Sequence, residues 1–222
     1  MLDIRYEDEA LLILEKPPGI LVHPTAKDIS DTLYHEVEAY YRQKGWPLQL
    51  HPVSRLDRYT SGLVIFAKFP EIQGKLIKQG IQKDYLALIT DPLPRAHGLI
   101  DAPIARKPGS IIEREIQPTG KPCRTEYWFL QSNPETGITL VRCRLYTGRT
   151  HQIRVHMASI HHPVAGDPVY GPHNCITSLH GQCLHAKTLG FIHPITGEQL
   201  RFDSELPDYF AHFLATLRRK NT

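Results

Sequence analysis

Asp57 lies between two arginines, Arg55 and Arg58, in the stretch HPVSRLDRYTSG at positions 51–62. The apolar run LVIFAK follows at 63–68, so this carboxylate stands where a loop feeds into a buried strand. Such a place can hold a reactive group, and it equally suits a turn aspartate that caps a backbone amide. A second concentration of chemistry runs from Val141 to His162. Arg142, Arg144, Arg149 and Arg154 stand there with His151, His156, His161 and His162, and no acidic residue lies among them. A local positive field of this kind suits phosphate; a solvated basic face would have the same composition. His173, Cys175, His180, Cys183 and His185 form a third group. Their HNC…HGQC spacing matches no standard structural zinc site, and no metal is expected there.

Around these residues the chain reads as a globular protein. Its 222 residues can bury most of their apolar surface. The 26 basic residues nearly balance the 23 acidic ones, so a net charge of +3 names no polyanionic partner by itself. No stretch approaches the roughly 20 apolar residues needed to span a bilayer, and MLDIRYEDEALLIL has no signal-peptide pattern. A cytoplasmic monomer with no membrane partner is expected. Cys123, Cys143, Cys175 and Cys183 show no CxxC spacing, which fits reduced thiols.

The elements that must position the chemistry follow from period and punctuation. LLILE at 11–15 is a short strand ended by the turn KPPG. SDTLYHEVEAYYRQKG reads as an amphipathic helix capped by Ser30 or Asp31, with Leu33, Val37 and Tyr41 on one face and Gly45 at its end. EIQGKLIKQGIQ reads as a second helix with Ile72, Leu76 and Ile77 inward, and YLALIT as a strand. Residues 98–125, rich in Gly, Pro and basic residues, suggest a hairpin-rich lobe or a loop insertion. RTEYWFLQ and ITLVRCRLY follow as strands, TGRTHQIRVHMASI as a loop leading into a helix, and KTLGFIHPITGEQLRF as a hairpin turning at Thr196-Gly197. The fold class is α+β: a mixed, mostly antiparallel sheet with flanking helices.

Six segments in order carry a family resemblance: EKPPGILVHP at 15–24, SRLDRYTSGLVIFAK at 54–68, KDYLALI at 83–89, GKPCRTEY at 120–127, TGRTHQIRVHMASIHHPVAGDPVYG at 147–171 and LHAKTLGFIHPITGE at 184–198. Together they resemble the RluA-type RNA pseudouridine synthases. That resemblance implies one catalytic domain over residues 1–222, a bent sheet in two halves with a central RNA-binding cleft, and a short form without the small N-terminal RNA-binding domain of many relatives. It implies an RNA partner, ribosomal or transfer RNA, and isomerisation of specific uridines to pseudouridine. The reaction breaks the bond between uracil and ribose, turns the base over and rejoins it through a ring carbon. No group is added or lost, so no cofactor is required.

By the same resemblance Asp57 is the catalytic carboxylate. Glycoside chemistry shows why the residue type fits, since a carboxylate can stabilise or trap an oxocarbenium-like centre; attack on the base, or elimination to a sugar alkene, would use the same group. A carboxylate so used has to stay ionised where water is excluded, and a fixed cation is expected beside it. Arg154 matches the family residue in that role, Tyr85 the tyrosine near the target base, and Leu184 an apolar residue on the uracil face. Arg55 matches the arginine that fills the stack when the target base is flipped out, for which a planar guanidinium is suited. Arg58, Arg149 and His151 fall to RNA binding. Ser54 stands where most relatives have histidine. Thr60, Ser61 and Gly62 are expected to shape the Asp57 turn, and Lys16-Pro17 to form a rigid turn near the site or a plain connection.

Two other function classes have sequence signs. A catalytically silent RNA-binding module would keep the basic segment and tolerate loss of Asp57. A metal-dependent hydrolase would need the histidines as ligands.

Overall fold

The computed structural model describes residues 2–25, 31–46, 49–171, 181–208 and 210. The chain divides into two compact units, Met1–Lys83 with Ala186–Glu205, and Asp84–His185 with Leu206–Thr222. Strands in both are mostly antiparallel, with three helices among the described residues, so the α+β class holds.

In the first unit β1 (Asp3–Glu7) and β2 (Leu11–Lys16) form a hairpin. Its turn is tied by Asp8, whose Oδ1 accepts the N–H groups of Ala10 at 2.8 Å and Leu11 at 2.7 Å. Helix α1 (Leu33–Gln43), the two-residue β3 (His51–Pro52), β4 (Ser61–Ala67) and helix α2 (Pro70–Gln79) follow. Late in the chain come β11 (Leu184–Ile192), most of which lies in this unit, and β12 (Gln199–Asp203). The strand order is β1-β2-β4-β11, with β12 paired to β11 and β3 to β4. Every residue of β4 is buried, which is why LVIFA reads as an unbroken apolar run rather than an alternation. Leu63, Ile65 and Ala67 pack with Leu11, Ile13, Ile72 and Leu76 in one cluster, and each large member contributes about 1.5–3 kcal/mol by leaving water.

Three helix details differ from expectation. Ile77 is 63% exposed, because the inward pair Ile72 and Leu76 is spaced i, i+4 and Ile77 lies one step round the helix. The helix also stops at Gln79, where Gly80 with φ 84° turns the chain into a strand. At the start of α1 the capping residue is Thr32, whose hydroxyl meets the His35 ring at 3.0 Å rather than a backbone amide. Asp31 has φ 61° there, and Ser30 lies outside the described residues. The buried face of Leu33, Val37 and Tyr41 is as the spacing predicts.

In the second unit the order is β5 (Gln82–Thr90), β10 (Ile138–Leu145), β9 (Arg124–Asn133), β6 (His97–Asp101), with β9 antiparallel to both its neighbours. The lobe expected at 98–125 contains a separate hairpin, β7 (Ile104–Arg106) with β8 (Arg114–Ile116). Helix α3 (Gln152–Ser159) is buried on all sides from Gln152 to Met157. The hairpin of the first unit turns at Gly197 with φ 76°, where sequence placed it.

Candidate active site

Strand register brings the first group together. β2 pairs with β4 so that Lys16 stands opposite Gly62, at the end of β4 where the Asp57 loop enters. Lys16 is fully buried. Its Nζ donates to the carbonyls of Pro17 at 2.8 Å, Ile20 at 2.9 Å and Arg58 at 2.9 Å. One ammonium therefore ties the KPPG turn to the residue that follows Asp57. The Gly19 N–H donates to the Arg58 carbonyl at 2.8 Å, and the Arg58 guanidinium donates to the Gly19 carbonyl at 3.3 Å. Burial pushes Lys16 down to about 7, against the field of Asp57, which raises it, while Arg58 lowers it further.

Around the carboxylate the loop alternates. Ser54 and Leu56 are buried, Arg55 is exposed and Asp57 is half-buried. The Thr60 N–H closes a turn onto the Asp57 carbonyl at 3.1 Å. Ser54 is a fixed anchor: its hydroxyl accepts the Ile65 N–H at 3.3 Å, while the Val53 N–H donates to the Ile65 carbonyl at 2.9 Å. Gly62 has φ 109°, and a Cβ there would come within 2.3 Å of the Ala186 carbonyl oxygen. Only glycine fits, as expected of this position. The rigid turn expected around Lys16 is thus built from backbone carbonyls that the lysine gathers.

The second group lies in the other unit. Arg154, on α3, donates Nε–H to Asp167 Oδ2 at 2.7 Å and Nη2–H to Asp167 Oδ1 at 2.8 Å, and both side chains are almost wholly buried. The Tyr170 ring lies 5.1 Å from the guanidinium carbon. The Tyr170 hydroxyl accepts the Arg114 N–H at 2.9 Å and meets His151 Nδ1 at 2.8 Å. His151 precedes α3 in the left-handed region, φ 59°. Gln152 holds the entry to the helix, accepting from Thr147 Oγ1 at 2.9 Å and Arg149 N–H at 3.0 Å and donating to the Arg124 carbonyl at 3.0 Å. The Arg149 side chain is exposed, reaching the Pro122 carbonyl at 3.5 Å. His156 is wedged between Thr125 Oγ1 and the Ala102 carbonyl, and burial lowers its pKa.

Tyr85 is buried on β5, and its neighbour Asp84, on the opposite face of that strand, is gripped by both Arg144 Nε at 2.7 Å and Nη2 at 2.8 Å. Leu184 is buried at the start of β11. Cys183 and His185 are buried beside it, while His173, Cys175 and His180 lie outside the described residues. No group of three or more His, Cys, Asp or Glu that could hold a metal ion occurs among the described residues. Sequence reasoning did not assign Asp167 or Tyr170. The available signal was the GDPVYG stretch at 166–171, close in sequence to Arg154.

Residues 10–159 match the family described as RNA pseudouridylate synthase. The chain is 40% identical over 228 residues to a ribosomal large subunit pseudouridine synthase D of Nitrosomonas europaea, covering 98% of this chain and 65% of that protein. It is 38% identical over 225 residues to an uncharacterised RNA pseudouridine synthase of Bacillus subtilis, covering 98% and 73%. The chain thus spans about two thirds to three quarters of the length of these relatives. The structure is similar to that of human RNA pseudouridylate synthase domain containing 4, with a TM-score of 0.75, 25% identity, and coverage of 97% and 93% of the two chains.

Proposed function

The chain belongs to the RNA pseudouridylate synthase family, isomerases that act on RNA, and from that premise we propose that it converts specific uridines in structured RNA to pseudouridine within one catalytic domain spanning residues 1–222. Large-subunit ribosomal RNA is the favoured substrate class, because a relative at 40% identity carries that function in its name; transfer RNA is the alternative. Asp57 is the carboxylate that acts at the sugar or the base, Arg154 the cation that aims it, and Tyr85 and Leu184 line the base. Arg55 fills the vacated stack, while Arg58, Arg149 and His151 bind RNA.

The observation that carries the assignment of Asp57 is the stitching of its loop. A buried lysine spanning three carbonyls and a glycine that admits no Cβ fix the backbone on either side of the carboxylate, and a reacting group works best on such a preorganised support. Arg55 is exposed beside it, as a side chain that enters RNA must be.

Release of tritium from RNA labelled at carbon 5 of uracil, taken from cells lacking the gene and assayed with excess EDTA, tests the activity. Release is expected; its absence across both transfer and ribosomal RNA would sink the proposal. Comparing pseudouridine maps of such cells with their parent identifies the RNA. The role of Arg55 has its own measurement. Arg55→Ala should slow modification of a folded stem-loop by about 1–3 kcal/mol in barrier, with little loss on a short unstructured RNA holding the same uridine, since only the folded RNA carries the unstacking cost. Equal losses on both would make Arg55 an ordinary phosphate contact.

A further inference from the structure

Arg154 is held by more than one residue, and the way it is held fixes the orientation of its guanidinium. A guanidinium has five N–H groups in a rigid plane. Asp167 takes the side formed by Nε and Nη2, through two bonds of 2.7 and 2.8 Å, so the plane can neither rotate about its long axis nor slide along α3. Asp167 is itself fixed, because Oδ1 also accepts the backbone N–H groups of Val169 at 2.9 Å and Tyr170 at 3.2 Å. Tyr170 covers the guanidinium with its ring at 5.1 Å. Its hydroxyl accepts from the Arg114 N–H and also meets His151 Nδ1 at 2.8 Å, at the entry to α3. The carboxylate, the aromatic ring and the helix entry together fix both the roll and the plane of the guanidinium.

We propose that Asp167 and Tyr170 are positioning residues for the isomerisation, acting through Arg154: Asp167 fixes the roll of the guanidinium and Tyr170 fixes its plane. This rests on the reading of Arg154 given above. Because Asp167 already offsets the charge of Arg154, what the arrangement supplies is direction more than field. A misdirected arginine then slows the chemical step while leaving RNA affinity in place.

The test uses the full-length protein and tritium release from RNA labelled at carbon 5 of uracil, prepared from cells lacking the gene. Asp167→Asn keeps the shape and the bonds from Val169 and Tyr170 but loses the charged fork. Its rate at saturating RNA should fall about 10- to 100-fold, with the half-saturating RNA concentration changed less than about twofold, since a transition-state interaction is lost and not uniform binding. On an Arg154→Lys background, where no fork can form, Asp167→Asn should cost less than about twofold more, because residues that act as one unit are not additive. A purely structural Asp167 would give losses that multiply. Tyr170→Leu, which removes the covering ring and leaves the Asp167 fork in place, provides a second variant should Asp167→Asn fold poorly, and it should also lower the saturating rate at unchanged half-saturation. A parental saturating rate for Asp167→Asn, or for Tyr170→Leu where the first variant does not fold, overturns the proposal, as do multiplying losses on the lysine background. Arg154→Lys at the parental rate would overturn the reading of Arg154 itself, whereas an impaired Arg154→Lys beside a parental Asp167→Asn would overturn only this inference.

Discussion

The loop that carries Asp57 and the helix that carries Arg154 both hold a charged side chain steady, by opposite means. At the loop, the holding is done on the backbone. Lys16 gathers three carbonyls, Ser54 anchors the loop to β4, and Gly62 lets two backbones touch, while the Asp57 side chain is half-buried. At the helix, the holding is done on the side chain, where a carboxylate fork grips the guanidinium directly with both partners out of water. Backbone fixing sets where the loop carries its carboxylate. Side-chain fixing sets the orientation of the charged group itself.

This comparison breaks most visibly at Gly62. Adding a Cβ through Gly62→Ala sets a methyl 2.3 Å from the Ala186 backbone at a φ that side chains rarely adopt. No flexible neighbour can yield, so a loss of about 3 kcal/mol in urea unfolding is expected. Retention of parental stability would mean that β4 can shift and that the loop is not rigidly mounted.

Lys16→Met comes next. It preserves bulk and strands three carbonyls, each costing about 1–3 kcal/mol if left buried without a donor, offset by removal of a buried charge. A net loss of about 2 kcal/mol is expected, read as a lower urea midpoint, with activity falling further than stability because the loop loses its tie beside Asp57. Arg58 and Gly19 would still pair through the backbone, so complete unfolding is not expected.

A further test is one of pH. With Lys16 at about 7 in the folded protein and near 10.5 unfolded, the unfolded chain binds more protons between those values, so stability contributed by this group rises with pH across that window. The parent minus Lys16→Met difference in urea midpoint should grow from pH 7 towards pH 10. A difference that is flat or shrinks would show that the three carbonyls hold the ammonium charged and that burial does not dominate.

How much of this was legible in the sequence depended on how local the cause was. The apolar run of β4, the face of α1 and the turn at Gly197 each come from residues adjacent in sequence, and all were readable. Ile77 misled because EIQGKLIK admits two inward faces that only packing distinguishes. Asp57 and Arg154 could be named from motif resemblance, but their supports could not. Lys16 meets the carbonyl of Arg58 42 positions away, and Arg154 meets Asp167 13 positions on across the end of its helix. Neither partner carries a periodic signal. Ser54 looked like a departure from its family, yet it anchors β4 through a hydroxyl, a use that no composition rule announces.

The central claim, that the backbone-mounted carboxylate is the reacting group, is tested most directly by Asp57→Asn. The substitution keeps the shape and the turn closed by Thr60, so the melting temperature and RNA affinity should stay close to those of the parent. Tritium release from RNA labelled at carbon 5 of uracil should fall to background, a loss of about 10⁴-fold or more if the group forms or stabilises the reacting centre. Release at a rate near the parent's, from a variant shown to be folded and bound to RNA, would contradict the account.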